Sequence, residues 1–163
     1  MTIRFTDEDL IDHDAVAAVI RDSQGRVLIL DHVKFNLPTI PIGKAHTDQA
    51  PVDALKEEMK EELNIVVQEC QEVANSLIEY DEDRNVLLRF HIFNVLKYSG
   101  ELRNLEPAKH RGFEFKSIDE IARLPALTDA TILFLASEHR QAMARWSGRV
   151  RGRVQLVQDS EDH

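Results

Sequence analysis

Cysteine is nearly absent from this sequence, and the marks of a secreted or membrane protein are absent as well. Cys70 is the only cysteine among 163 residues, so the chain cannot form an internal disulfide, and we expect a reducing, cytoplasmic location. No apolar run approaches the roughly 18 residues that cross a bilayer, and residues 1–5 lack the pattern of a secretory signal. The length suits one domain with a sizeable core, in which Cys70 is expected to pack rather than to act as a nucleophile.

Positive charge is also scarce. With 20 Lys and Arg against 29 Asp and Glu, the net charge is −9, which argues against general nucleic-acid binding because such surfaces are basic. The exception is an arginine-rich segment near the C-terminus, where residues 149–154 alternate polar and apolar. We predict an edge strand protected by charge, with contact to an anionic ligand as the alternative. The predicted organisation is a domain over residues 1–148 followed by a C-terminal strand or tail over residues 149–163.

Two common kinds of catalytic site have no support. No Gly-x-Ser-x-Gly segment occurs, so a serine hydrolase with a nucleophile elbow is not indicated. The seven histidines show no spacing that is typical of zinc ligands. His46 and His110 are therefore expected at the surface or beside a substrate.

The order of the predicted elements is strands, one central helix, more strands and closing helices. Turn-forming residues at 22–25 and 81–85 indicate two hairpins. Two prolines and a glycine make residues 35–43 a loop or an edge strand. This order predicts an α+β fold. The predicted strands are 15–20, 27–30, 65–67, 73–80, 86–96 and 113–115. Two closing helices are predicted. The first starts at Ser117 and stops before Pro125, and the second runs from about Asp129 to Ala144.

The central helix has clear boundary signals. Asp48 is a candidate N-cap, Pro51 falls in the first turn, and Asn64 is a candidate C-cap because asparagine tolerates the left-handed conformation. Its apolar positions recur at helical spacing, which predicts one face packed on the core. These positions are Val52, Leu55, Met59 and Leu63.

Four carboxylates crowd the second half of this helix, at Glu57, Glu58, Glu61 and Glu62. Glu58, Glu61 and Glu62 stand at i, i+3 and i+4, where like charges on a helix repel each other. A divalent cation would convert that repulsion into ligation, and oxygen ligands of this kind suit Mg²⁺, which usually binds carboxylates together with substrate phosphates. The alternative is a solvated acidic face, which is how most charge runs behave.

With these residues in place, residues 43–65 resemble the Nudix box, the signature of the Nudix hydrolase family and its MutT-like members. The box reads Gly, five residues, Glu, seven residues, Arg-Glu, an aliphatic residue, any residue, Glu-Glu, any residue, Gly and a final aliphatic residue. Residues 104–110, followed by 113–115, are also similar to the loop and aromatic strand of MutT-like members. Without a gap, the box positions fall on Gly43, Gln49, Glu57, Glu58, Met59, Glu61, Glu62, Asn64 and Ile65.

The resemblance implies a Nudix-type α/β/α sandwich with a mixed central sheet. It also implies hydrolysis of a pyrophosphate bond in a nucleoside diphosphate linked to another group, with Mg²⁺ or Mn²⁺ as cofactor. Glu58, Glu61 and Glu62, with the carbonyl of Gly43, would ligate the metal, and Glu58 and Glu61 would be the catalytic residues, Glu58 serving as base. Glu106 would complete the site from outside the box. Other acids are candidates for that last role, namely Glu101, Glu114 and the acids at 79–83.

Several box positions depart from the family pattern. By resemblance, the box arginine supports a catalytic glutamate through a salt bridge, whereas Glu57 places a negative charge there. Gln49 lacks the charge of the first box glutamate, His46 stands where an acid is common, and Ile42 replaces a glycine.

Two hypotheses follow. The first is a pyrophosphohydrolase acting on a small nucleotide-type substrate, and the second is a Nudix-like module that binds a nucleotide or a partner without efficient turnover. The box does not encode the identity of the substrate. A homodimer is compatible with the resemblance because family members are often dimers and an edge strand follows Gly148.

Overall fold

The structure, a computed structural model, describes residues 13–80, 86–146 and 153–156. Within these ranges it contains eight strands and four helices, which confirms the α+β class. The strands are β1 (His13–Val19), β2 (Val27–His32), β3 (Leu37–Thr39), β4 (Ile42–Lys44), β5 (Val66–Tyr80), β6 (Val86–Ser99), β7 (His110–Lys116) and β8 (Arg153–Leu156). The helices are α1 (Pro51–Leu63), α2 (Ile118–Ala122), α3 (Asp129–Glu138) and α4 (Arg140–Arg145).

The strands form two sheets. The larger sheet has the order β4-β1-β6-β5-β8 and is mixed, because β1 runs parallel to β6 while the other neighbours are antiparallel. The smaller, antiparallel sheet has the order β3-β2-β7. Both β3 and β4 lie at sheet edges, as the prolines of that segment predict.

Helices cover both faces of the larger sheet, which gives the predicted sandwich. On one face, Val16 and Ala18 pack with Leu55 and Met59 of α1. On the other face, alternate residues of β1 and β6 pack with Leu133 and its neighbours in α3. Strand β1 therefore has apolar side chains on both faces, as expected of a buried strand.

The first predicted hairpin was wrong beyond its turn. Arg21 and Val27 form an isolated antiparallel bridge, and the Leu28 N–H donates to the Ile20 carbonyl at 2.8 Å. Beyond that point β1 enters the larger sheet and β2 enters the smaller one. The physical reason is that β1 and β2 are continuous apolar runs, buried on both faces, and such runs do not specify which neighbour they pair with.

The second predicted hairpin is confirmed by the antiparallel pairing of β5 with β6, although its turn at 81–85 lies outside the described residues. The two strands predicted at 65–67 and 73–80 are one strand of 15 residues. The pairing of β5 with β6 shifts register between residues 67 and 74. Such β-bulges accommodate extra residues without ending the strand, so the polar residues between the two predicted strands belong to the same strand.

The closing helices differ from prediction in one respect. Ser117 caps α2 through the predicted capping box with Glu120, and α2 ends before Pro125. The single helix predicted from Asp129 to Ala144 is instead α3 and α4, separated at His139 (φ −136°, ψ 58°). The His139 ring packs edge-on against Phe134, with 5.2 Å between the ring centroids. Local sequence patterns do not predict this contact.

Strand β8 pairs antiparallel with β5 at the outer edge of the larger sheet. Residues 147–152 and 157–163, which include most of the predicted arginine-rich strand, lie outside the described residues. The division of the chain at residue 148 stays a prediction. In the part of the chain that the structure describes, no helix combines the length and apolar character needed to span a membrane.

Candidate active site

The site begins where the edge strand β4 meets α1. Gly43 pairs with Val16 of β1, and its backbone lies directly against the side chain of Glu58. A Cβ placed on Gly43 would lie 2.5 Å from Cγ and 2.8 Å from Cδ of Glu58, distances that no real side chain tolerates. Glycine is therefore required here, and its use is the close backbone approach that the sequence suggested.

The boundaries of α1 set the position of its glutamates. The helix begins at Pro51 with Ala50, not the predicted Asp48, as N-cap, and Ala50 offers no side-chain bond. Asp48 instead has a left-handed backbone (φ 66°) in the loop before the helix. Asn64 ends the helix in the left-handed conformation (φ 64°, ψ 28°), as predicted.

The loop at residues 101–109 is fastened to the C-terminal end of α1. Helix carbonyls at this end have no partner within the helix, and here the Glu62 carbonyl accepts from the Leu105 N–H at 2.9 Å and the Leu63 carbonyl from the Arg103 N–H at 3.0 Å. These two bonds place Glu106, the next residue along the loop, beside the helix carboxylates.

Three carboxylates, Glu58, Glu62 and Glu106, form the centre of the site. Glu62 is buried with 3% of its surface exposed, and its carboxyl group is hydrogen-bonded to that of Glu58, which is half-buried. Burial first, then the negative charge of Glu58 and the bond to it, raise the pKa of Glu62 to about 8. Burial also raises the pKa of Glu58. Since charged carboxylates are costly to bury without compensation, this centre calls for a cation.

Lys109 supplies the positive charge in this structure. Its Nζ lies 2.8 Å from Glu106 Oε2 and 3.5 Å from Glu62 Oε1, and the bond to Glu106 raises the pKa of Lys109. The other oxygen of Glu62, Oε2, is buried without a hydrogen-bond partner. His110 Nε2 lies 4.0 Å from this oxygen.

His110 is a buried neighbour of the Glu62 carboxyl group. It has 1% of its surface exposed, so it is not a surface residue. Of the two positions expected for His110, it occupies the one beside the site. Burial lowers the pKa of His110, which favours the neutral ring. His32 packs edge-on against it at 5.3 Å, and burial, followed by the charges of His110 and of the nearby lysines, lowers the pKa of His32 to about 4.

The residues fit Mg²⁺ or Mn²⁺ by donor chemistry. Among the described residues, no group of three or more His, Cys, Asp or Glu side chains already stands in an arrangement that could hold a metal ion. The donors that do converge are carboxylates beside an exposed backbone edge at Gly43, and Glu62 Oε2 is a buried acceptor without a partner. All-oxygen donors of net negative charge are what hard divalent ions select, and an ion bound here would compete with Lys109 for Glu62 and Glu106.

The structure brings together four of the five residues predicted as metal ligands, namely Gly43, Glu58, Glu62 and Glu106. Glu61 is exposed at the rim, near enough that its charge raises the pKa of Glu58. The alternatives to Glu106 are engaged elsewhere or lie outside the description. Glu101 bonds Arg103 at 2.9 Å, Glu114 bonds Lys116 at 2.6 Å, and the side chains at 79–83 are not described.

Lys109 and His110 were not predicted as members of the site. The signal for Lys109 was its spacing of three residues from Glu106, which places opposite charges together in a turn. For His110 no local signal existed, because it is out of phase with the alternating Phe113 and Phe115, and the pairing of β2 with β7 shifts register between His110 and Phe113.

Comparison with known proteins agrees with this arrangement. The family model described as NUDIX domain matches residues 12–136. No curated protein sequence matches the chain. Similar solved structures include the MutT NUDIX hydrolase from Burkholderia pseudomallei, at 23% identity over 77% of this chain and 97% of that one with a TM-score of 0.67. The E. coli ORF135 protein is 26% identical over 83% of this chain and 94% of that one, also with a TM-score of 0.67.

A third similar structure is the E. coli dihydroneopterin triphosphate pyrophosphohydrolase, which is 15% identical over 67% of this chain and 82% of that one, with a TM-score of 0.56. The identities of 15% and 23% support the fold alone. The family is carried by the domain match, which spans most of the chain and includes Gly43, α1 and the Glu106 loop. This protein belongs to the Nudix domain family.

Proposed function

We propose that this protein is a Mg²⁺- or Mn²⁺-dependent hydrolase that cleaves a pyrophosphate bond in a small nucleoside-diphosphate-type substrate. One observation carries the proposal: Glu62 is buried beside Glu58 and Glu106 with one oxygen lacking a partner. A purely structural carboxylate would have its oxygens satisfied. The pyrophosphohydrolase named among the similar structures carries out a reaction of the same class on its own substrate.

In this proposal, Glu58, Glu62 and Glu106, with the Gly43 carbonyl, hold the metal, and Glu61 contributes from the exposed rim. When bound, a divalent ion neutralises phosphate charge and lowers the pKa of a coordinated water. Glu58 is the candidate base, since its half-buried carboxylate has a raised pKa and lies against Gly43. Carboxylates with raised pKa values are suited to accept a proton near neutral pH.

The protein's other groups shape the same site. Lys109 offsets the negative charge while the site holds no substrate. The neutral His110 ring lies beside Glu62 and adds no charge to the site. The substrate is proposed to be a small nucleotide or nucleotide conjugate rather than a nucleic acid, because the net charge of −9 would repel a polyanion. A cytoplasmic location and a homodimer stay predictions.

The alternative function is a Nudix-like module that binds nucleotides without efficient turnover. The observation that favours it is the ammonium of Lys109, which already contacts two of the proposed ligands. A module of this kind would keep its carboxylates neutralised from within the chain and would take up little divalent metal.

A product assay separates the two functions. The protein is incubated with Mg²⁺ or Mn²⁺ and a panel of nucleoside triphosphates, dinucleoside polyphosphates and nucleotide sugars, and phosphate-containing products are measured. The enzyme should release product with at least one class and lose activity with EDTA. Glu61→Gln and Glu62→Gln should abolish turnover, whereas Glu69→Gln, an exposed glutamate on β5, should not. Tight nucleotide binding without product from any class would establish the binding module.

A further inference from the structure

The loop between β4 and α1 is closed by one side-chain amide, that of Gln49. Its Oε1 accepts from the backbone N–H of His46 at 2.9 Å, and its Nε2 donates to Glu57 Oε2 at 2.8 Å. The backbone N–H of Gln49 also donates to the His46 carbonyl at 3.0 Å. A longer contact of 3.5 Å joins His46 Nε2 to the second oxygen of Glu57.

Hydrogen-bonding capacity explains why these two residue types occur together. The His46 N–H needs an acceptor, which fixes the amide oxygen of Gln49 toward the loop and turns its NH₂ group toward position 57. An NH₂ group is satisfied by an acceptor, and the carboxylate of Glu57 is a strong one. An arginine at position 57 would instead bring donors against a donor.

The same reasoning applies to position 49. A glutamate there would still accept from His46, but it would oppose the carboxylate of Glu57 at hydrogen-bond distance. A donor at position 57, such as the cation of an arginine, would then match it. The residues at 49 and 57 are therefore compatible as Gln with Glu or as Glu with Arg, and each single exchange creates a mismatch.

The position of this pair links it to the site. The loop connects Gly43 in β4 to α1, and Glu57 is the chain neighbour of Glu58. The start of the loop is anchored separately, because buried Ala45 donates its N–H to the Asp14 carbonyl at 2.9 Å. Toward the helix, the N-cap residue Ala50 makes no side-chain bond, and Asp48 has a left-handed backbone, which costs a residue other than glycine conformational energy.

We infer that Gln49 and Glu57 are a positioning pair that fastens the 45–50 loop to α1 at the residue that precedes Glu58. Gln49 and Glu57 both differ from the family pattern, but together they still hold the loop on the helix, so the two differences do not weaken the site. This inference gives a role to the negative charge that Glu57 places where the family has an arginine. Its consequence for turnover rests on the proposed function, but its structural part does not.

Four variants test the pair: Gln49→Glu, Glu57→Arg, the double exchange Q49E/E57R, and the conservative Glu57→Gln, which keeps an acceptor for Gln49. The first readout is hydrogen–deuterium exchange of residues 45–50 in the metal-free protein. Each of the two mismatched single variants should exchange about five-fold faster across residues 45–50, because the bond between positions 49 and 57 that fastens the loop is lost. The double variant should recover most of the protection, and Glu57→Gln should lose less than Glu57→Arg.

The second readout is Mn²⁺ affinity by calorimetry, with kcat and KM for any substrate found. The mismatched variants should bind Mn²⁺ about ten-fold more weakly, as is typical when residues that orient metal ligands are changed, and kcat should fall while KM changes little. Lys60→Gln, an exposed change of charge on the same helix, is the matched control and should leave every readout unaltered.

Two results would overturn the pair. One is a Glu57→Arg variant that is as protected as the starting protein, or more active. The other is a double variant no better than the worse single variant. If the starting protein neither binds Mn²⁺ nor turns over any substrate, the proposed function fails, and the exchange data alone still decide whether Gln49 and Glu57 hold the loop.

Discussion

Two buried polar clusters contact the core of this protein, and they differ in how completely their groups are satisfied. Between β3 and α3, the hydroxyls of Thr39, Thr128 and Thr131 form a closed chain of bonds. The Ile40 N–H donates to Thr131 (3.1 Å), Thr131 pairs with Thr128 (2.9 Å), Thr128 with Thr39 (2.7 Å), and Thr39 donates to the Ile40 carbonyl (2.7 Å). Each hydroxyl has one proton to donate, and all three protons are used within this chain of bonds, so no donor is left for a ligand.

The carboxylate cluster at the end of α1 has the opposite character. Glu62 is as buried as the threonines, yet its own pKa is raised and it keeps an oxygen without a partner. Buried polar groups are satisfied wherever stability alone governs a site. The difference teaches that the threonine chain serves the fold, whereas the carboxylates depend on something the chain does not supply.

The largest expected effect is the loss of the candidate base. Glu58→Gln keeps the size of the side chain and its contact with Gly43 but removes the charged form. We expect kcat to fall by about 100- to 10,000-fold, the range typical of general bases, with the thermal midpoint of unfolding unchanged or raised because a buried charge is removed. Steady-state kinetics and calorimetry on the same preparation measure both. Turnover that survives within a few-fold would remove Glu58 from the chemistry and leave the base unassigned.

The converse change breaks the satisfied cluster. Thr128→Val keeps the shape but leaves Thr39 and Thr131 without their shared partner and removes the N-cap of α3. We expect a loss of about 1–3 kcal/mol in the free energy of unfolding, measured by urea denaturation, with Mn²⁺ affinity unaltered. Thr128→Ser, which keeps the hydroxyl, is the control. A threonine variant that lost metal binding before stability would erase the distinction between the clusters.

Local patterns predicted the parts of the site that depend on one element. The apolar stripe of α1, the left-handed cap at Asn64 and the need for glycine at position 43 all follow from short-range rules of spacing and backbone conformation. Those rules also put Glu58 and Glu62 on one side of the helix. Family resemblance, rather than spacing, suggested Glu106, because its approach to α1 depends on a loop docking onto the helix carbonyls.

What the sequence did not predict depends on pairing between distant segments. The separation of β1 and β2 into two sheets is decided by register with β6 and β7, and the break at His139 is accompanied by packing on Phe134. Similarly, the sequence did not predict a partner for Glu57, because the amide that donates to it comes from a loop eight residues earlier. Helical periodicity contains no information about such a donor.

A smaller effect should appear in the pH dependence of stability without metal. The pKa of Glu62 in the folded protein is raised to about 8, so the folded state holds a proton that the unfolded state releases above about pH 4.5. Stability should therefore fall as pH rises from about 5 to 8, by at most about 1.4 kcal/mol per pH unit for one proton. Urea denaturation across this range measures the slope. Glu62→Gln should flatten it, whereas Thr128→Ser should not, and a slope that is the same in both variants would assign the titration to other groups.

The smallest expected effect concerns Lys109, the cation that the chain supplies to its own carboxylates. Because its Nζ lies 2.8 Å from Glu106 and 3.5 Å from Glu62, a metal ion must overcome its charge or displace it. Lys109 is 56% exposed, so water screens much of this competition, and Lys109→Gln should strengthen Mn²⁺ binding by only about five-fold, equivalent to about 1 kcal/mol. Calorimetry at low ionic strength measures the change, with Lys97→Gln, an exposed lysine on β6, as the control. Weaker Mn²⁺ binding in Lys109→Gln would mean that this lysine organises the carboxylates for the metal instead of competing with it.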